Sequence, residues 1–349
     1  MTPNTHSTGL YSVSWMDKLF DWVESLPIPF WFFYALVYLV ISLLQHALLW
    51  LDGTLAARTW LPVIFTQDIW FVFIPGAWHY LRRAGAHAFD RFRPALELSA
   101  KQFAVLRHRF TRLSARSGWL LTLGALLFAP VVGPIALTYA GEWAVSPYNR
   151  FLTVPFVLIA YPIIVGFFCM VVRSLVWIGK LYRMVTQINL FNLTTLYAFS
   201  SLTMRIAMIF VAFLLINIIG APLHAGTQNQ ATTLFYSFLH GTLAIMVFLL
   251  PLLGIHARLV TAKEEATARN NHLINKGFAE LQRKVERGSI QQINRMRVAN
   301  SALLEYRQEL NKISTWPWDP STLRTFITAL LLPMTTWVVQ QILLRTFTR

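Results

Sequence analysis

The chain has a single cysteine, Cys169, among its 349 residues, so no disulfide can form within it and a disulfide scaffold is excluded. Charge is scarce too: Asp, Glu, Lys and Arg make up 13% of the residues, where soluble proteins carry roughly 25%. Acidic residues are the scarcest, 15 against 30 Lys and Arg, for a formal net charge of +15. Recognisable catalytic signatures are absent. There is no His-Glu-x-x-His, no phosphate-cradling glycine loop and no cysteine pair. Cys169 lies within an apolar run, where a small packing residue is expected rather than a nucleophile. These absences argue against an enzyme, a cofactor and a protein-held metal.

What fills the composition is apolar: 56% of the residues are hydrophobic, which excludes a disordered chain. Several runs approach the roughly 20 residues needed to cross a bilayer as a helix. The expected fold is therefore all-α, a polytopic helical membrane protein with about seven transmembrane helices. The expected spans are Ile28–Leu51, Trp60–Leu81, Gly118–Ala140, Phe151–Ile178, Met204–Leu223, Thr232–His256 and Leu323–Leu344. Residues 28–256 form the first six, and residues 323–349 hold the last span and a short tail. The segment 1–27 is amphipathic, with Trp15, Phe20 and Trp22 suited to the interface. It lacks the pattern of a signal peptide.

The basic excess follows this topology. Residues 82–117 hold nine Lys and Arg against two acids, and 257–323 hold eleven against seven. The alternate loops near 51–59, 142–151 and 222–231 contribute only Arg58 and Arg150. By the positive-inside rule the N-terminus is cytosolic and the C-terminus outside. No nucleic acid is needed to explain the charge, although the stretch 82–117 is suited to anionic lipid.

The polar region 257–322 reads as a cytosolic helical hairpin. Ile274, Phe278, Leu281 and Val285 are spaced 4-3-4, an a/d stripe. Gly288-Ser289 interrupts it, and Ile293, Met296, Leu303 and Leu310 continue the stripe with Asn300 among them. Thr315-Trp316-Pro317-Trp318-Asp319-Pro320 ends the second arm, because two prolines forbid a continuous helix. Trp316 and Trp318 are expected to anchor at headgroup level, and Arg173 to snorkel to lipid phosphate.

Polar groups inside a bilayer are costly and default to functional hypotheses. They are Gln45 and His46 in the first span, Gln67 and Asp68 in the second, His240 in the sixth, and Gln340 and Gln341 in the last. Most fall in the outer half, so convergence on one polar cavity is expected, with Asp68 attracting a cation.

Phe92-Arg93-Pro94-Ala95-Leu96, the stretch from Leu190-Phe191 to Leu196-Tyr197-Ala198-Phe199-Ser200, and Thr315 to Pro320 followed by Leu330-Leu331-Leu332-Pro333 are also informative as a set. Together they resemble a family of uncharacterised bacterial multi-pass membrane proteins, which implies the bacterial inner membrane and no particular activity. In architecture alone the chain is similar to the insect chemoreceptor channel superfamily. That resemblance implies a homo-oligomer, a tetramer, held by cytosolic helices with the last helix lining a cation pore. The superfamily's Thr-Tyr and Gln-Phe pair is not matched here. On this reading Thr336, Gln340 and Gln341 line the pore. The competing expectations are a membrane sensor or scaffold acting through the hairpin, and a proton- or metal-coupled transporter using Asp68 and His240.

Overall fold

The computed structural model describes residues 10–140, 146–186, 188–224, 230–286 and 290–347. Helix accounts for 85% of the described residues, with no strand among them. Backbone satisfied within each helix is what a hydrocarbon environment demands. Among the described residues ten α-helices follow in order: α1 (Trp15–Ser25), α2 (Phe30–Leu51), α3 (Pro62–Phe92), α4 (Ala100–Thr111), α5 (Ala115–Ala140), α6 (Pro147–Met184), α7 (Tyr197–Gly220), α8 (Gln230–Glu286), α9 (Ile290–Lys312) and α10 (Pro320–Phe347).

Local chemistry sets most of these boundaries. Ser14 caps α1 by accepting from the Asp17 N–H, and Pro27 and Pro29 separate α1 from α2. Asp52 and Gly53 close α2, with Gly53 at φ 74°, a left-handed geometry that suits glycine. Pro62 opens α3, where its missing N–H costs nothing. Ser99 and Gln102 form a reciprocal capping box at the start of α4.

Among the described residues, five helical segments are long and apolar enough to cross a membrane: Phe30–Leu51, Leu158–Met184, Tyr197–Leu223, Ala231–Glu286 and Ser321–Val339. The sequence reading counts about seven. The helix expected over Trp60–Leu81 exists as α3 but is not among the five, and it carries Gln67, Asp68 and Pro75 within its apolar part. Within α5 the stretch Ala115–Ala129 is apolar, and the side chains beyond it lie outside the described residues.

The helix α7 is the hub. It packs on α3, α8 and α10, and half of its apolar stretch is buried, as expected for a helix apolar on every side. At one end of the bundle Phe92 of α3, Phe110 of α4, Tyr182 of α6 and Phe199 of α7 meet, with ring centroids 4.6 to 5.8 Å apart. The Tyr182 hydroxyl donates to the Leu196 carbonyl at 2.9 Å, which satisfies its polar end inside this cluster.

At 57 residues α8 is roughly 86 Å long, more than twice the roughly 30 Å of hydrocarbon it can span. It runs unbroken past residue 257 and folds against α9 beyond the bundle. Ile274 and Leu310 are buried at the base of this hairpin, whereas Phe278 and Val285 are 46% and 57% exposed. The apolar stripe is thus wider than one partner helix covers. Gly277 lies so close to Asn300 of α9 that an added Cβ would overlap the amide, and Asn270 donates to the Leu303 carbonyl at 3.0 Å. Gly277→Ala is expected to destabilise the hairpin by about 1–3 kcal/mol through overpacking. Adding Asn300→Ala should restore most of that. Hydrogen exchange over residues 265–310 of the full chain reads both effects.

Candidate functional site

Two buried polar clusters and one sparsely covered helix hold the residues with functional potential. The first cluster docks the N-terminal helix. Arg82 of α3 is nearly enclosed, with a side-chain exposure of 5%. Its guanidinium meets Asp21 at 2.9 Å, Glu24 at 3.0 Å and Asp17 at 3.7 Å, and donates to the Asp17 carbonyl at 3.2 Å. The three acids lie on α1 at spacings of four and three, so they share one face. Glu24 is also 2.9 Å from Nε2 of His79. Arg112, just after α4, pairs with Asp21 at 2.5 Å.

Backbone contacts tie the same segment down. The Leu113 N–H donates to Asp17 at 2.8 Å, Ser14 N–H to the Leu113 carbonyl at 2.9 Å, and Ala115 N–H to the Ser12 carbonyl at 2.8 Å. Burial pushes the Asp17 carboxyl above its usual range, even with the Leu113 N–H, Ser14 and two arginines favouring the charge. Burial opposes ionisation of Asp21 and Glu24 as well. There the hydrogen bonds and charges of Arg112 and Arg82, and of His79 and Arg82 respectively, prevail and hold both below their usual values.

The second cluster joins α2 to α3. Asp68, 1% exposed, accepts from the Ser42 hydroxyl at 2.7 Å. His46, fully buried, accepts at Nε2 from the Leu61 N–H at 3.1 Å, so its Nδ1 carries the proton and donates to the Ser42 carbonyl at 2.7 Å. Both ring nitrogens are spent, leaving no lone pair for a metal. Gln45 is buried beside them. His240 lies elsewhere, in an aromatic surround of Trp70, Phe213 and Tyr236 at centroid distances of 6.2, 5.7 and 6.4 Å. Asp68 and His46 on the one hand and His240 on the other therefore sit in two separate places. Among the described residues, no group of three His, Cys, Asp or Glu side chains gathers as a metal site.

Arg173 turns inward. It donates to the carbonyls of Arg109 and Arg112 and, at 3.3 Å, to the Tyr11 hydroxyl, capping the C-terminus of α4. Trp316 stacks on His256 at 3.9 Å and on Trp318 at 4.4 Å. Trp318 is buried against Phe248 of α8. The two tryptophans hold the linker against α8. The helix α10 rests on α7, and only 11% of its apolar stretch is buried, the least of the five. Thr336 is half-buried and its hydroxyl donates back to the Leu332 carbonyl at 2.9 Å. The side chains of Gln340 and Gln341 lie outside the described residues.

Sequence reasoning missed the Arg82 cluster, whose signal was Asp17, Asp21 and Glu24 on one face of an amphipathic helix. It also missed the capping cations. Arg258 of α8 donates to the Tyr182 and Val185 carbonyls at the end of α6. Lys263 donates to the Asn311 and Ile313 carbonyls at 3.0 and 2.8 Å, at the end of α9. No family model matches the chain, and no curated protein or solved structure is similar to it.

Two outcomes follow for the first cluster. Arg82→Gln leaves the buried Asp17 and the partly exposed Glu24 without their cation and is expected to lower the thermal stability of the full chain in nanodiscs. Acid acts on the same pairs. Asp21 and Glu24 have folded pKa values below the ordinary 3.8 and 4.5, so their stabilisation of docked α1 is complete above that range and is lost as pH falls through the folded values. Asp17, shifted upward, has the opposite sign and offsets part of the loss. Spin labels at positions 22 and 87 should keep one short distance at pH 6 and broaden below about pH 4.

Proposed function

We propose that this chain is an integral membrane protein that assembles with copies of itself around α10 and conducts ions. The observation that carries this reading is the sparse cover of α10 within its own chain. A helix that continues into adjacent glutamines needs partners for their amides in hydrocarbon, and a neighbouring copy supplies them. In this reading α3 and α5 also cross the bilayer, bringing the spans to seven. The basic segment 82–117 and the α8–α9 hairpin face the cytosol of a bacterial cell. Four copies, as in the chemoreceptor-like channels, would surround one axis lined by Thr336, Gln340 and Gln341. Asp68, enclosed and bonded to Ser42, serves this assembly by fixing α2 on α3.

Reconstituted in liposomes, the full chain is expected to pass monovalent cations. Gln340→Ala with Gln341→Ala should change flux or selectivity by tenfold or more while Asp68→Asn leaves selectivity alone. A monodisperse monomer in nanodiscs, or flux indifferent to both glutamines, overturns the reading. A second reading rests on the exposed Leu273, Phe278 and Val285 of α8, which offer a surface for a partner protein and make the chain a membrane sensor or scaffold. Phe278→Glu abolishing partner capture in a preparation without ion flux would favour it. The transporter reading receives less support, because Asp68 and His240 sit in separate clusters.

A further inference from the structure

A groove of about 400 Å³ runs between α2, α3 and α7, lined by Tyr34, Tyr38, Phe73 and Tyr80 with Ile209 at its back. No charged side chain lines it. From Ile69 to Tyr80 it follows twelve residues of α3, roughly 16 Å from first to last, about half of the roughly 30 Å hydrocarbon thickness. That is the depth of one leaflet. Ala35 is exposed on its wall.

At the Phe30 end the groove meets a polar cleft of about 360 Å³, which shares Phe30 and Trp31 with it and adds Glu24 and Arg83. Glu24 is already engaged by Arg82 and His79. Arg83 lies over the Phe30 ring at 5.4 Å. Arg205 of α7 donates to the Tyr80 hydroxyl and lies over its ring at 5.6 Å. Among the described residues neither arginine has a carboxylate partner. One end of an apolar, leaflet-deep groove therefore carries two exposed cations held in place by aromatic rings, and the other end carries none.

We propose that this groove holds one acyl chain of an anionic phospholipid, whose headgroup phosphate lies against Arg83 and Arg205 in the leaflet nearest α1. The aromatic walls exclude water from the chain, and guanidinium groups suit phosphate oxygens by geometry as well as charge. This site is separate from α10 and stands whether or not that helix lines a pore.

Native mass spectrometry of the full chain in mild detergent, titrated with phosphatidylglycerol or phosphatidylcholine, tests it. Phosphatidylglycerol is expected to bind the more tightly. Arg83→Gln with Arg205→Gln should weaken it about tenfold and phosphatidylcholine by less, so that the preference is lost. The Arg83→Lys, Arg205→Lys pair keeps the charges and should retain most of the preference. Ala35→Trp, at an exposed wall position, should reduce binding of both lipids by filling the groove. Equal affinity for the two lipids, a preference unmoved by the double glutamine variant, or binding indifferent to Ala35→Trp each overturns the proposal.

Discussion

An enclosed guanidinium organises one end of this molecule. Arg82 is withdrawn from water and must be neutralised where it sits, because a buried unpaired cation is far costlier than an exposed one. The neutralising charges are on α1, so the first helix has one place to go. Docking it there brings Ser12 and Ser14 onto the backbone beside Leu113, which fixes the turn from α4 into α5. The same contact presents Phe20 to Trp78 of α3 at 5.2 Å, joining the ionic cluster to the aromatic core. Gly166 of α6 lies under the Trp78 ring with no room for a Cβ, so the fourth of the apolar runs is held against the same tryptophan.

The cations beyond Arg82 follow a related logic. A helix end leaves carbonyls without intrahelical partners and concentrates negative potential there. Arg173 answers the end of α4, Arg258 that of α6 and Lys263 that of α9, each from a helix other than the one it caps. Part of the basic excess is thus tertiary structure. The remainder, exposed on 82–117 and the hairpin, still forms the asymmetric distribution that an anionic membrane surface would favour. The groove between α2, α3 and α7 belongs with it, because its two free arginines mark the same edge of the bundle.

Much of the architecture was legible from spacing and composition. Apolar runs of sufficient length identified the long helices, and the proline-tryptophan linker marked the end of α9. The limits of that reading are equally specific. The outer polar residues were expected to converge because they shared a depth along their helices. Depth says nothing of azimuth, and Asp68 turns toward Ser42 while His240 faces Trp70 and Phe213. Trp316 and Trp318 had the composition of interfacial anchors, but His256 and Phe248 offered them stacking faces that no local pattern reveals.

By itself, then, the sequence determined the class of the molecule: helices long enough to cross a bilayer, a long polar helical segment, and basic residues gathered in particular stretches of the chain. Those properties depend on neighbours within a few residues, where hydrophobicity and helix geometry act directly. The tertiary structure alone decided which charges meet. Arg82 and Asp17 are 65 positions apart in the chain, and Arg173 and Tyr11 are 162. Such pairings depend on the rotation and crossing of whole helices, which follow from the packing of every face at once. A periodic pattern defines a face but not the face that will oppose it.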